Sequence, residues 1–203
     1  MSMNRRRLLL RHEYNKYIHF EDKEVERICL EKWDKDKDGK LSKEEALQVS
    51  NIGNLQMPHD CKFHEFKYFE NATNAVQFHF PDTNVEIVVP SQITTIPIFF
   101  AQFVTAQIQQ NNNAEGNAVL IFLGEIKEFQ YYAISDDREY RVPYFSIVLP
   151  NAKTPPRFNQ AWKANYGRCK KMYVPDGSVE LYKAANITGV LNILPISEYK
   201  GNY

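Results

Sequence analysis

Asp34, Asp36 and Asp38, followed by Gly39 and then Glu45, are the residues whose types and spacing could do chemistry in this chain. In the stretch DKDKDGKLSKEE, counting Asp34 as position 1 puts Asp36 at 3, Asp38 at 5, Gly39 at 6, Lys40 at 7, Ser42 at 9 and Glu45 at 12. A hard cation such as Ca2+ takes about six to eight oxygens, and these are the positions of a calcium-binding loop. The carboxylates of Asp34, Asp36 and Asp38, the backbone carbonyl of Lys40, the side chain of Ser42 and a bidentate Glu45 form the expected ligand set. Gly39 permits the sharp turn, and Leu41 supplies the apolar residue beneath the loop. The bland alternative is a solvated acidic turn. Lys35, Lys37, Lys40 and Lys43 interleave the acids and are expected to weaken cation affinity by local repulsion.

Two helices must hold such a loop. In DKEVERICLEKW, Val25, Ile28, Cys29 and Trp33 fall near helical spacing behind Asp22, a residue suited to an N-cap. SKEEALQVSNIG continues the pattern with Ala46, Leu47 and Val49, and Gly53 is read as its terminator. The arrangement is that of an EF-hand. No second loop of this kind occurs in the sequence, so the site is read as a structural brace and not as a sensor.

Residues 1–19 precede this unit as an arm, with Arg5, Arg6, Arg7, Arg11 and Lys16 against a single Glu13. Such an arm either stays solvated or orders against an acidic groove, and Arg5, Arg6, Arg7 and Arg11 are its candidate partner-binding residues. Leu8, Leu9 and Leu10 are too few for a secretory h-region, and no segment reaches the length of a membrane-spanning helix, so neither general secretion nor membrane insertion is expected.

Beyond Gly53 the text turns strand-like and aromatic, in FHEFKYF, VQFHF, VEIVVP, AVLIFLG and FSIVLP, punctuated by Pro81, Pro90, Gly124, Pro143 and Pro150. QIQQNNNAEGN, residues 107–117, reads as an inserted loop. With 203 residues, 43% of them hydrophobic and 13% aromatic, the chain can bury a substantial core. Lys+Arg and Asp+Glu are both 25, which gives no overall bias toward nucleic acid or an anionic membrane. Cys29, Cys61 and Cys169 make no CxxC pair and are read as reduced, mostly buried core residues. Sequence signatures of a nucleophile elbow, a zinc protease, a phosphate loop and a dinucleotide fold are missing, and the protein is read as a non-enzyme. His64 and Glu65 near Cys61 match no ligand spacing and are assigned to a strand surface.

VEIVVPSQITTIPIFFAQF, residues 85–103, resembles one repeat of the BspA-like leucine-rich repeat proteins, built as strand, proline turn, second strand and aromatic-bearing segment. SIVLPNAKTPPRFNQAW, KKMYVPDGSVELYKAANI and ILPISEY resemble that family's C-terminal cap, and VERICLEKWDKDKDGKLSKEEA, residues 25–46, resembles the leader that precedes such repeats in proteins of gut anaerobes. Met, Arg-Arg-Arg and a leucine run at the start resemble virion-associated proteins of phages that infect those bacteria. The resemblance implies an α+β fold: a basic arm over 1–19, an EF-hand-like helix–loop–helix over 20–53, and over 54–203 a short, degenerate leucine-rich-repeat body of short strands. It further implies a virion structural or attachment protein that contacts other virion proteins or a host surface protein or glycan, in a multimeric assembly, with no nucleic acid partner. A bacterial cell-surface adhesin of the same repeat type is the alternative.

Overall fold

In the computed structural model, Asn51 lies beside Asn74 and Phe78 beside Ala101, each pair 23 residues apart on neighbouring parallel strands. The structure describes residues 14–81, 84–103, 118–136, 144–159 and 169–203. Thirteen strands are placed: β1 (Asn51–Gln56), β2 (Lys62–Phe63), β3 (Asn74–Phe80), β4 (Glu86–Val89), β5 (Thr95–Ile96), β6 (Ala101–Phe103), β7 (Ala118–Phe122), β8 (Glu128–Phe129), β9 (Ile134–Asp136), β10 (Phe145–Val148), β11 (Arg157–Phe158), β12 (Cys169–Val174) and β13 (Ile193–Pro195). They form three sheets, in the orders β1-β3-β6-β9, β13-β12-β10-β7-β4-β2 and β11-β8-β5. Every strand pair is parallel, and the chain winds from one sheet to the next as a β-solenoid of about four turns.

This overturns the expected α+β fold with an EF-hand domain ahead of a short leucine-rich-repeat body. Each coil contributes a strand to two or three sheets, so parallel strand is the main regular structure of the described residues. Among the described residues the helices are short: residues 14–16, α1 (Lys23–Trp33), α2 (Lys43–Leu47), α3 (Val179–Ala184) and a few 3-10 turns. The physical reason is the interior. Inward side chains meet their equivalents one coil on: Phe63 pairs with Ile87, Ile87 with Leu120, Leu120 with Ile147 and Ile147 with Met172, all with no solvent exposure. Phe80 stacks on Phe103 with centroids 5.3 Å apart, and Phe129 stacks on Phe158 at 5.1 Å. Identical coil-to-coil positions thus bury apolar area continuously, which a solenoid needs because each coil alone cannot.

One apolar cluster runs from Ile18 through Val25, Cys29, Leu41 and Phe63 to Tyr182, so the two N-terminal helices share the solenoid's core and sit on its first coil. Asp22 caps α1 by accepting from the Glu24 and Val25 amides at 2.9 and 3.2 Å. α2 stops at Leu47. Gly53, expected to terminate it, lies inside β1 with φ +69° and donates to Asn51 Oδ1 at 2.7 Å. At the other end α3 follows Ser178, whose hydroxyl donates to the Lys153 carbonyl at 2.8 Å and accepts no amide of its own helix as a cap would. All three cysteines are buried and none forms a disulfide. The expected 107–117 loop lies outside the described residues. Glu86 pairs with Val119, 33 positions on, so the coil containing that loop carries ten residues more than the 23 that separate β1 from β3 and β3 from β6.

Gly124 marks a tight corner. A β-carbon there would overlap the backbone carbonyl oxygen of Ser91, one coil below. Gly124→Ala is therefore expected to force two coils apart and cost about 2 kcal/mol, in the range of overpacked cores, whereas the same change at Gly177, which faces open space, should leave the denaturation midpoint nearly unchanged.

Candidate calcium loop

The carboxylates of Asp34, Asp36 and Asp38 converge at the end of α1, each offering an oxygen within 4.8 Å of the others. Short local bonds set this geometry. Asp34 accepts from the Lys37 amide at 2.8 Å and the Gly39 amide at 3.0 Å, Asp36 from the Asp38 amide at 3.1 Å, and Asp38 from the Lys40 amide at 2.8 Å. Gly39 takes φ +79°, the left-handed conformation the sixth position was expected to need. Three like charges so close repel one another by roughly 1 kcal/mol per pair even in water-like surroundings, and a divalent cation at their centre would reverse that sign.

Ser42 and Glu45 stand apart from this cluster. Ser42 caps α2 in a reciprocal box with Glu45: its hydroxyl receives the Glu45 amide at 3.1 Å, and Glu45 Oε2 accepts the Ser42 amide at 2.9 Å and hydroxyl at 2.8 Å. Glu45 Oε1 accepts the Lys35 amide at 2.9 Å. The carboxylate, only 7% exposed, thus staples both ends of the loop. Burial pushes its pKa up, but the bonds from Ser42, Lys35 and Asp36 prevail and hold it below the ordinary 4.5. That contribution to stability is complete above the ordinary value and is lost as pH falls through the lowered one. To ligate a cation bidentately, Glu45 would have to exchange these bonds for metal contacts.

Three of the four interleaved lysines are directed elsewhere. Lys35 Nζ donates to Gln48 at 2.8 Å, Lys40 Nζ sits 4.8 Å over the Tyr17 ring, and Lys43 Nζ lies 5.1 Å over Tyr68. The repulsion expected from the sequence is reduced accordingly.

The residue that sequence reasoning missed is Tyr17. Its hydroxyl donates to Asp38 Oδ2 at 2.8 Å, it bridges antiparallel to Ser42, and the next amide, Ile18, donates to the Leu41 carbonyl at 2.8 Å. The end of the expected arm is therefore extended through a single antiparallel bridge against the loop's last residues. Its signal was the alternation in YIHF, where Ile18 and Phe20 are buried and His19 is exposed. Arg5, Arg6, Arg7 and Arg11 lie outside the described residues. Glu65, assigned to a strand surface, is instead buried in a 3-10 turn, and burial raises its pKa.

Comparison with known proteins finds no matching family model, no similar curated protein and no similar solved structure. Among the described residues, no helix is long and apolar enough to cross a membrane.

Proposed function

We propose that this chain is a non-catalytic structural or attachment protein of a phage particle, in which a calcium-stiffened cap joins a basic docking arm to a rigid solenoid. The observation that carries this reading is the junction at Tyr17 and Ile18. The segment leading out of the arm is bonded to the aspartate loop and buried in the core of the first coil, so a load on the arm reaches the solenoid through that loop. Calcium at Asp34, Asp36 and Asp38 would stiffen the same joint, with Lys40, Ser42 and Glu45 as the further ligands. The arginine-rich start, similar to virion-associated proteins, supports placing the arm against other particle proteins. The sides of the solenoid then face a neighbour or a host-surface protein or glycan.

The resemblance to BspA-like repeats favours a second reading, a bacterial surface adhesin. Quantitative mass spectrometry of purified particles beside envelope and cytosol fractions of the infected host separates the two. Stoichiometric recovery with particles is the expected result, and recovery with the cell envelope alone would overturn the virion reading in favour of the adhesin.

A further inference from the structure

The outer face of the largest sheet carries a second apolar cluster. Val88 of β4, Ile121 of β7 and Val148 of β10 have no solvent exposure and Tyr173 of β12 has 8%, although all four point away from the solenoid interior. What covers them is the C-terminal segment after β13: Ile196 and Tyr199 pack on the stripe, and the Tyr199 ring lies 5.1 Å from that of Tyr173. Apart from this packing, the strap is tied at two polar points. The Ser197 amide donates to Asp176 at 3.1 Å, and the Tyr199 hydroxyl donates to Glu86 Oε1 at 3.4 Å, 113 residues away in sequence.

Glu86 is itself held from the other end of the molecule. His64 Nε2, in the first coil, is 3.1 Å from the same Glu86 oxygen, and His64 Nδ1 is 3.4 Å from Glu21, just ahead of α1. The approach to Glu86 is off the N–H axis, so it is an ion-pair contact and not an aligned hydrogen bond, and Nε2 has no other partner. An imidazole flanked by carboxylates at both nitrogens is suited to holding charge and poorly suited to acting as a base. Lys62 adds a cation, donating to Glu21 at 2.7 Å, and Asp22 accepts the Lys62 amide at 3.3 Å. Glu65, beside His64, accepts the Glu21 amide at 2.9 Å. On the strap side, Tyr173 and Tyr203 complete the groups facing Tyr199.

We propose that residues 196–199 are a latch over the Val88–Ile121–Val148–Tyr173 stripe, kept shut by the contact of His64 with Glu86 and released when that contact is lost. Glu86, helped by Glu21, raises the pKa of His64 above its ordinary 6.5 despite burial, and His64 lowers that of Glu86 below its ordinary 4.5. The contact of His64 with Glu86, which holds that carboxylate where Tyr199 reaches it, is therefore charged on both sides between 4.5 and 6.5; it is lost as pH rises through the raised value of His64 or falls through the lowered value of Glu86, and Glu86 is then free to turn from Tyr199. The latch is complete between these limits and opens on either side, baring the stripe.

Hydrogen exchange of the full chain, corrected for intrinsic rates and followed by mass spectrometry at pH 6 and pH 9, tests this. Peptides spanning the strap are expected to lose protection roughly three- to fivefold at the higher pH, the scale of a partly exposed ion pair, while β7 and β10 stay protected. His64→Gln is expected to abolish the difference, its strap being equally open at both pH values. A pH-independent strap in the unaltered protein, an unchanged profile in His64→Gln, or loss of protection in β10 in parallel with the strap would each overturn the latch. Should His64→Gln fail to fold, Tyr199→Phe removes only the hydroxyl on Glu86; it is expected to loosen the strap at pH 6 over an intact solenoid, and full retention of protection would overturn the proposal.

Discussion

Replacing Phe78 with alanine is expected to lower the free energy of unfolding by about 3–5 kcal/mol, a large part of the roughly 5–15 kcal/mol available to a domain. Phe78 is fully buried in β3 and is the ring through which neighbouring coils meet. Its centroid lies 5.1 Å from Phe66 and 6.3 Å from Phe63 in the first coil, 6.1 Å from Phe80 beside it, and 5.4 Å from Phe100 at the start of the next. Removing it takes away edge-to-face contacts in both directions along the axis and leaves a cavity that parallel strands, bonded on both sides, cannot collapse to fill. In a solenoid the stability of each coil depends on its neighbours, so this change should also uncouple the first coil from the rest and broaden the chemical denaturation curve. Phe99→Ala, at a partly exposed corner where the ring stacks on Tyr132 at 6.2 Å, should cost much less. Equal losses at the two positions would mean that the interior ladder does not dominate stability.

The parallel strands are partly legible in the sequence. VEIVVP, AVLIFLG and FSIVLP are near-continuous apolar runs, and continuous runs are the mark of parallel strands buried on both faces. In the structure Val88, Ile121 and Val148 face outward under the C-terminal strap while Ile87, Leu120 and Ile147 face inward. The strap, distant in sequence, hides the period-two alternation that would otherwise have told the faces apart. No regular repeat length was legible, because the spacing between paired strands varies from 23 residues between β1 and β3 to 33 between β4 and β7, and the kind of solenoid depends on how many sides each coil closes. Third-sheet strands such as Thr95–Ile96 and Arg157–Phe158 are only two residues long, too short for any periodicity to register. The aspartate spacing was plain because a loop's geometry is local. The bridge at Tyr17 was not, because its partner, Ser42, is set by tertiary pairing.

Saturating Ca2+ is expected to raise the melting temperature by about 5–10 °C, since a ligand at a hundredfold its Kd adds about 2.7 kcal/mol and a chain of this size gains roughly 2–4 °C per kcal/mol. The control is Asp36→Asn. Asp36 is exposed, and its bond within the loop is the one it accepts from the Asp38 amide at 3.1 Å, which an asparagine oxygen can also accept. The variant should therefore melt like the parent in chelator while losing most of the calcium-dependent rise. Glu45→Gln asks a different question. Because Glu45 staples Lys35 to Ser42, this variant should melt lower even in chelator; if Glu45 also turns to ligate the ion, calorimetric titration will show a weaker affinity than in the parent. Affinity unchanged in Glu45→Gln would confine the cation to the three aspartates and leave Glu45 with its cap. A parent melting temperature indifferent to both Ca2+ and chelator would end the calcium reading, and the convergence of Asp34, Asp36 and Asp38 would then be a turn held together by its own amides.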